Sequence, residues 1–397
     1  MSQQPANARF LFRLGRAHCA AAPGEAVNER AIKILHLPTN IASQISISVR
    51  ALRALGVEAR GLARKTSVMQ DYSGIQTVDW SGRPNPAKRL LRGVRWRLKM
   101  IGAMAWADVI HWHWGDSTWR GLDLRIAAWL GKPRIVEFWG SDLRDPALAS
   151  GDNAYLTRMY QEHPELANQQ SSNSAQRTFG ERGFECLIPG YELSDYVDRR
   201  IFPEYYSTRA RLILSDFVPR FPRVTKDRPL VVHAPSNKAK KGTEVVLETM
   251  SRLSRTHRFE FKLIHQMPRN EALALIAESD LLLDQFTIGA EGLASHEAMA
   301  LGKPVVCFIK PALLPRYPAN LPIVTANQET LQEAITPLLE DGLRRHEIGR
   351  QSRRYVEDHH DARNICSELH EIYGELCSKQ AARLNAPWKG ARVGGST

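Results

Sequence analysis

Alternating apolar strands and amphipathic helices run through most of the chain. Residues 32–37, IKILHL, form an apolar run that is typical of a buried strand, and residues 44–55 repeat apolar positions at helical spacing. A polar loop separates the two elements, and Gly56 follows the helix. The order of strand, loop, helix and strand predicts a parallel α/β fold, in which ligands bind at the carboxyl ends of the strands.

The pattern divides into two halves around a stretch without periodicity. Residues 217–223 contain two prolines and two arginines, and apolar periodicity resumes only at Leu230. A length of 397 residues also favours two domains over one. We predict a disordered extension at 1–30, an N-terminal domain at 31–218, a linker at 219–228, a C-terminal domain at 229–355, helices at 356–385 of which the last crosses back to the N-terminal domain, and a disordered tail at 386–397.

The amino-acid composition indicates an anionic partner but does not identify it. The formal charge of +12 favours an anionic partner, but the interleaved aromatics of a nucleic-acid module are missing, so no nucleic acid is expected. The five cysteines are widely spaced and form no C-x-x-C pair, which predicts neither a zinc site nor a disulfide framework and fits a reducing cytoplasm. No apolar run approaches the length of a membrane-spanning helix, so any membrane contact is expected to be peripheral.

Polar residues follow the predicted strands of the N-terminal half. Asn40 lies in the loop after the first strand, and His113 lies near the carboxyl end of the strand at 107–115, on the same side as His111. A metal pair at these histidines is disfavoured, because no carboxylate or cysteine ligand lies in register. The strand at 134–138 runs into a turn that contains Trp139, Gly140, Ser141, Asp142 and Arg144. Functional side chains are expected in this turn. The alternative is that Asp142 and Arg144 form a structural ion pair with each other.

The C-terminal half contains two loops suited to an anion. Residues 234–243 follow a strand at 229–233, bring Lys238, Lys240 and Lys241 together, and end in a Gly-Thr step before a helix. Gly292 precedes another helix after the strand at 281–283, where backbone N–H groups and the helix dipole favour negative charge. A solvated basic loop is the alternative for the lysines.

Residues 86–104 form a predicted helix that is both basic and amphipathic. Its apolar stripe contains Leu91, Val94, Leu98 and Ile101. Its cations are Lys88, Arg89, Arg92, Arg95, Arg97 and Lys99. One interpretation is peripheral contact with an anionic membrane, with Trp96 at the interface and the protein at the inner face. The other is a surface helix whose apolar stripe faces the core.

Residues 279–306 resemble the signature ADxxxxPSxxEGFGLxxLEAMAxGxPVV of GT-B glycosyltransferases of the retaining, glycogen-synthase-like (family-4-like) group. The matching residues are Asp280, Gly292, Leu293, Glu297, Ala298, Met299, Ala300, Gly302, Pro304, Val305 and Val306. Lys241-Gly242 is similar to the family's Lys-Gly step, and Gly140-Ser141-Asp142 is more loosely similar to its His-Gly-Ser-Asp turn. The similarity to the family in the order of elements extends over residues 31–380, but only the motifs of the C-terminal half are specific to the family.

The resemblance implies a fold, a reaction and a set of site residues. It implies two Rossmann-like domains facing a cleft, and transfer of a sugar from a nucleotide-diphosphate donor to a glycan or lipid-linked acceptor, with retention and without a metal or other cofactor. The pathway implied is bacterial-type surface polysaccharide or glycoconjugate synthesis. Glu297 would bind the ribose, while Lys241, with Lys238, and the N–H groups of Gly292 and Leu293 would hold the diphosphate. The acceptor would lie near Asn40, Trp139, Gly140 and Ser141, with Asp142, His113 and Glu291 as catalytic candidates.

Several positions depart from the family pattern. Gly289 stands where the family has its first glutamate. Two positions later, Glu291 replaces the aromatic residue that lies between the two glycines of the signature. Trp139 replaces the histidine of the N-terminal turn, and Ser236 replaces an arginine for which Lys238 or Lys240 can substitute. These departures leave two alternatives to a transferase: a non-catalytic GT-B subunit that binds a glycan or an enzyme, and a nucleotide-sugar epimerase.

Overall fold

The computed structural model describes residues 31–82, 84–149, 151–167 and 169–385. In this part of the chain the strands form two parallel sheets, each with helices packed on it, so the protein consists of two Rossmann-like α/β domains. The predicted extension at 1–30 and the predicted tail at 386–397 lie outside the described residues.

The N-terminal domain is built on a seven-stranded parallel sheet within the described residues, with strand order β3-β2-β1-β4-β5-β6-β7. Every residue of β1 and β4 is buried, as expected for apolar runs at the centre of a parallel sheet. The elements are β1 (Ile34–Pro38), α1 (Gln44–Ala54), β2 (Ala59–Lys65), β3 (Gln76–Asp79), α2 (Pro86–Trp106), β4 (Val109–His113), α3 (Leu122–Trp129), β5 (Arg134–Glu137), α4 (Pro146–Ala149), α5 (Ala154–Glu162), α6 (Gln169–Gly180), β6 (Glu185–Pro189) and β7 (Tyr206–Thr208).

The C-terminal domain has a five-stranded parallel sheet in its described residues, with strand order β12-β11-β10-β8-β9. Its helix α10 begins at Leu293, directly after Gly292. The elements are β8 (Leu230–His233), α7 (Lys238–Lys241), α8 (Thr243–Leu253), β9 (Glu260–Leu263), α9 (Arg269–Glu278), β10 (Leu281–Leu283), α10 (Leu293–Ala300), β11 (Val305–Cys307), β12 (Val324–Thr325), α11 (Leu331–Glu340), α12 (Gly342–His359) and α13 (Ala362–Asn385).

Both sheets have a point where the strand order reverses. In the N-terminal sheet it lies between β1 and β4, and in the C-terminal sheet between β8 and β10. Ligands of open α/β sheets bind at such switch points, outside the carboxyl ends of the strands. The loops that carry Lys241 and Gly292 therefore leave the C-terminal sheet at its expected binding edge.

The C-terminal helix packs on the N-terminal domain. Ile365, Leu369 and Tyr373 of α13 are buried in the same apolar cluster as Ile45 and Val49 of α1. Just before α13, a backbone bridge joins Leu212 to Asp361: the Leu212 N–H donates to His360 at 2.9 Å, and the Leu212 carbonyl accepts from Ala362 at 2.8 Å. The two segments that connect the domains are thus hydrogen-bonded to each other.

Helix α2 contacts the core with a different face from the predicted one. Trp96, Met100 and Met104 are buried, and the Trp96 Nε1–H donates to Thr118 Oγ1 at 2.9 Å. The interpretation of α2 as a surface helix with its Leu91 stripe on the core is therefore wrong, and so is the expectation that Trp96 lies at a membrane interface. The exposed apolar side chains of α2 are Leu90 (67%), Leu91 (68%), Val94 (41%), Leu98 (68%) and Ile101 (39%).

Candidate functional site

A cleft of about 270 Å³ lies between the carboxyl edges of the two sheets. Residues of both domains line it, and His360 contributes from the connection between α12 and α13. The predicted site residues that line it are Trp139, Gly140, Ser141, Lys241, Glu291, Gly292 and Leu293. The structure therefore brings these strand-end loops together across the cleft.

Lys241 ends the short helix α7 on the C-terminal wall. Asn237 caps this helix, because its Oδ1 accepts from the Lys240 N–H at 2.9 Å. Lys241 is only 9% exposed, and its ammonium group pairs with the carboxylate of Asp284 at the end of β10. Lys238 begins the same helix, is exposed, and is not among the residues that line the cleft.

Glu291 is the cleft-facing carboxylate of the loop before α10. The Tyr317 hydroxyl donates to Glu291 Oε2, and His296 Nε2 lies 3.5 Å from Glu291 Oε1. Burial, together with the negative charge of Glu291, raises the pKa of Tyr317, so its hydroxyl keeps the proton that it donates. The His296 ring in turn packs on His360, with ring centroids 4.0 Å apart. These contacts fix the carboxylate at one orientation.

Glu297 is paired with an arginine outside the cleft lining. Arg269 Nη2 lies 2.5 Å from Glu297 Oε1, and both side chains are about four-fifths buried, with exposures of 24% and 20%. The pair joins the first residue of α9 to the middle of α10. The predicted ribose ligand thus has one carboxylate oxygen already engaged by Arg269.

The turn after β5 forms the N-terminal wall. Trp139, Gly140 and Ser141 line the cleft, and the Lys240 ammonium donates to Ser141 Oγ across it at 2.9 Å. Asp142 is 3% exposed and instead accepts N–H groups from Gly115 (2.8 Å), Trp139 (2.9 Å) and Gly140 (2.8 Å). Burial raises the pKa of Asp142 to about 6, against the lowering effect of these donors.

Three expectations about the N-terminal wall need correction. Asp142 shapes the turn and does not face the cleft, because its oxygens are used by backbone donors. It does not pair with Arg144, which instead contacts Glu192 through Nε (2.7 Å) and Nη2 (2.8 Å). Asn40 is 4% exposed, and its Oδ1 accepts from the N–H groups of Ile45 (2.9 Å) and Ser46 (3.2 Å) in the first turn of α1.

His113 also lies beneath the cleft instead of lining it, since it is fully buried behind Trp139. The two rings stack with centroids 6.3 Å apart. His113 Nε2 contacts His36 Nδ1 at 2.8 Å, and the Tyr373 hydroxyl lies 2.7 Å from His111 Nδ1. Three histidines on neighbouring strands thus form a buried polar cluster with a tyrosine of α13.

This histidine cluster has the spacing of a metal site but the environment of a hydrogen-bonded network. The ligand atoms of His36, His111 and His113 lie within 4.8 Å of one another. However, Glu137 Oε2, which lies 3.2 Å from a ring nitrogen of both His111 and His113, already pairs with the buried guanidinium of Arg211 at 2.8 Å. Burial lowers the pKa values of all three histidines, and the positive charge of Arg211 adds to the effect. Arg211 would repel a divalent cation in the same way. The cluster is therefore better explained as three neutral imidazoles than as a metal site.

Some residues at the site were not predicted from the sequence. Asp284 carried a detectable signal, because it is a charged residue at the carboxyl end of an apolar strand, the position expected for functional groups. His296 and Tyr317 carried none, since their role depends on contacts with Glu291 that only the folded chain creates.

The two-domain architecture with a cleft between facing sheet edges is the GT-B fold. The protein is similar over 88% of its length to the whole chain of sucrose-phosphate synthase from Thermosynechococcus elongatus, at 15% identity and a TM-score of 0.61. WaaG, a glycosyltransferase involved in lipopolysaccharide biosynthesis, matches 86% of this chain with 99% of its own, at 13% identity and a TM-score of 0.54. Anabaena Alr3699/HepE in complex with UDP matches 87% of this chain with 100% of its own, at 14% identity and a TM-score of 0.50.

Comparison of the sequence with family models and with curated proteins gives no match. The relationship to known proteins therefore rests on the fold. None of the helices in the described parts of the chain is both long and apolar enough to cross a membrane.

Proposed function

We propose that the protein is a retaining glycosyltransferase that moves a sugar from a nucleoside-diphosphate donor to a glycan or lipid-linked acceptor. The observation that carries the proposal is the cleft itself, where the Lys241 and Gly292 loops face the turn Trp139-Gly140-Ser141. Donor and acceptor would meet there when the cleft closes. The fold neighbours that are glycosyltransferases support this choice.

The diphosphate would bind at the start of α10. Leu293 lines the cleft, and the N–H groups of a first helical turn have no acceptor within the helix. Lys241 supplies the positive charge that neutralises a departing diphosphate. We propose that no metal takes part in balancing the leaving group, and that Glu297 reaches the ribose hydroxyls beside Arg269.

Glu291 is the carboxylate that we assign to the sugar. It is the acidic residue of the motif that lines the cleft, and Tyr317 and His296 orient it. In a front-face displacement, the acceptor oxygen attacks on the face from which the diphosphate departs, and the acceptor proton passes to the leaving phosphate. A fixed carboxylate stabilises the positive charge that develops on the sugar ring. Asp142 and His113 would act only through the turn and through Trp139.

The assay is acceptor-dependent release of nucleoside diphosphate from a panel of nucleotide sugars. Glu291→Gln should lower kcat by about 100-fold or more while the fold is retained, which thermal unfolding checks. Glu333→Gln, an exposed carboxylate on α11, is the matched control and should keep full activity. Donor conversion without acceptor would favour an epimerase, and donor binding without turnover across the panel would favour a non-catalytic subunit.

We also propose that α2 lies on an anionic membrane surface at the cytoplasmic face, where a lipid-linked acceptor would be presented. The exposed apolar stripe from Leu90 to Ile101 has no described element packed over it. Arg95, Arg97 and Lys99 flank the stripe by helical spacing, and Lys88 and Arg89 extend the positive charge at its start. Apolar side chains bordered by cations are the pattern of helices that lie in the lipid interface.

A further inference from the structure

The amino-terminal end of α10 already holds an anion that belongs to the chain. The carboxylate of Asp284 is 1% exposed and accepts from the Gly292 N–H at 2.7 Å and from Ser295 Oγ at 2.6 Å. Its other oxygen pairs with the ammonium group of Lys241. Backbone N–H, hydroxyl and lysine are the donors that a phosphate takes at a helix start.

The carboxylate is charged and leaves no room for a second anion among its donors. Burial raises the pKa of Asp284, but Lys241, Ser295 and Gly292 outweigh this effect and lower it overall. A Cβ built on Gly292 would lie 2.5 Å from Lys241 Nζ and 2.8 Å from Asp284 Oδ2. A phosphoryl oxygen at that point would meet the Asp284 carboxylate, which repels it, so a second anion pairs with Lys241 only if the ammonium group turns away from Asp284.

A second pair on the same strand shows that this arrangement is specific to the cleft edge. Asp280, at the other end of β10, accepts from the Leu230 N–H at 2.7 Å and pairs with Lys226. Neither residue lines the cleft, and Lys226 is 35% exposed. Both carboxylates tie down local backbone, but Asp284 alone of the two binds a lysine that lines the cleft.

We propose that Asp284 is an internal competitor for the diphosphate site and thereby sets how tightly that site holds a diphosphate. The inference rests on the proposed function. A bound diphosphate takes Lys241 from Asp284 and lies over the N–H groups of Leu293 and Ala294. When the sugar has been transferred, Asp284 pairs with Lys241 again and favours release of the nucleoside diphosphate. No covalent step is involved, because Lys241 only exchanges its ion pair with Asp284 for an ion pair with the diphosphate.

The test is calorimetric titration of the full chain with UDP, ADP, GDP and inorganic pyrophosphate. Asp284→Asn keeps an oxygen for the Gly292 N–H but removes the competing charge, so Kd should fall at least about tenfold, equivalent to about 1.4 kcal/mol. Asp280→Asn is the matched control and should leave Kd unchanged. If Asp284→Asn does not fold, Ser295→Ala tests the same competition in the opposite direction. A carboxylate with one donor fewer holds Lys241 more tightly, so Kd should rise about two- to threefold, and an unchanged or lower Kd would overturn the proposal.

Each outcome decides the proposal. Tighter binding to Asp284→Asn but not to Asp280→Asn supports it. Equal or weaker binding to Asp284→Asn, with clear binding to the natural chain, overturns it and leaves the proposed function intact. The absence of binding of all four probes to both proteins overturns the proposal and the proposed function together.

Discussion

The side chain of Lys310 fills the space beside Gly289. A Cβ on Gly289 would collide with Lys310 Cγ and lie 3.2 Å from Asn153 Nδ2. Lys310 Nζ pairs with Asp152 at 2.7 Å, and Asn153 Nδ2 donates to the carbonyls of Thr287 and Ile288, each at 2.9 Å. Gly289, the position where the signature that this chain resembles has its first glutamate, thus faces a contact between the domains, whereas Glu291 faces the cleft.

Placing the glutamate of the similar signature at this position should damage the protein. Gly289 has φ +87°, so even Gly289→Ala should cost about 1–2 kcal/mol for the left-handed backbone and about 1–3 kcal/mol more for overpacking against Lys310. Gly289→Glu should cost at least as much and should not increase activity. Urea unfolding measures the first effect and the diphosphate-release assay the second.

The control for this prediction is Gly56→Ala. Gly56 has φ +81°, but a Cβ there meets nothing within 4 Å, so it reports the backbone cost alone. Equal losses at the two glycines would contradict the packing argument.

The exposed stripe of α2 should bind anionic lipid. The natural chain should cosediment with vesicles that contain anionic phospholipid, and added salt should weaken binding. The double substitution Leu91→Glu and Leu98→Glu should reduce binding at least about tenfold, because it removes apolar area and adds repulsion. Leu247→Glu, at a 42% exposed leucine of α8, should bind like the natural chain. Unchanged cosedimentation of the double variant would rule out this surface.

His233 should make folding stability depend on pH. It is buried between the Leu283 carbonyl (2.8 Å) and Thr243 Oγ1 (2.9 Å). Burial, aided by the charge of Lys241 and opposed by Leu283 and Asp284, lowers the pKa of His233 to about 4. The unfolded chain binds a proton at His233 near pH 6.5, whereas the folded chain does so only near pH 4. As the pH falls from about 6.5 to 4, this residue therefore lowers the free energy of unfolding by about 1.4 kcal/mol per pH unit.

Urea unfolding at several pH values tests this dependence. His233→Gln should reduce the acid slope by one proton, whereas His163→Gln, at a 45% exposed side chain, should not. Asp142, whose raised pKa favours folding at lower pH, acts equally in both proteins and cancels in the comparison. An acid slope that is the same in His233→Gln and the natural chain would contradict the assignment.

The histidine cluster should not need a metal. Because Arg211 neutralises Glu137 and the imidazoles contact one another and Tyr373, a chelator should leave the thermal midpoint unchanged. A fall of more than about 5 °C on chelation, reversed by a divalent cation, would show that His36, His111 and His113 hold an ion.

Periodicity predicts most of the fold but not which side of an element is buried. In α2 both faces carry apolar residues, and the four-residue stripe that begins at Leu91 is the more regular of the two. Trp96, Met100 and Met104 nevertheless pack in the core, because large side chains bury more area, while Lys88, Arg89 and Arg95 stay exposed. The local sequence pattern does not show which of the two apolar faces of α2 packs in the core.

The candidate site shows the same limit. The Lys241 and Gly292 loops were predictable, since both follow apolar strands and precede helices. The pairing of Lys241 with Asp284 was not, because it joins residues 43 positions apart. His113 and Asp142 were placed correctly at strand ends, but alternation gives only the side of a strand and not the depth of burial, and both lie under the cleft surface.

The central claim is that the cleft binds a nucleoside diphosphate through Lys241. Thermal unfolding of the natural chain and of Lys241→Met against UDP, ADP and GDP tests it most directly, because binding to the folded state raises the midpoint. We expect at least one nucleotide to raise the midpoint of the natural chain by several degrees and to leave Lys241→Met unchanged. Equal shifts in both proteins, or no shift of the natural chain with any of the three at millimolar concentration, would contradict the account.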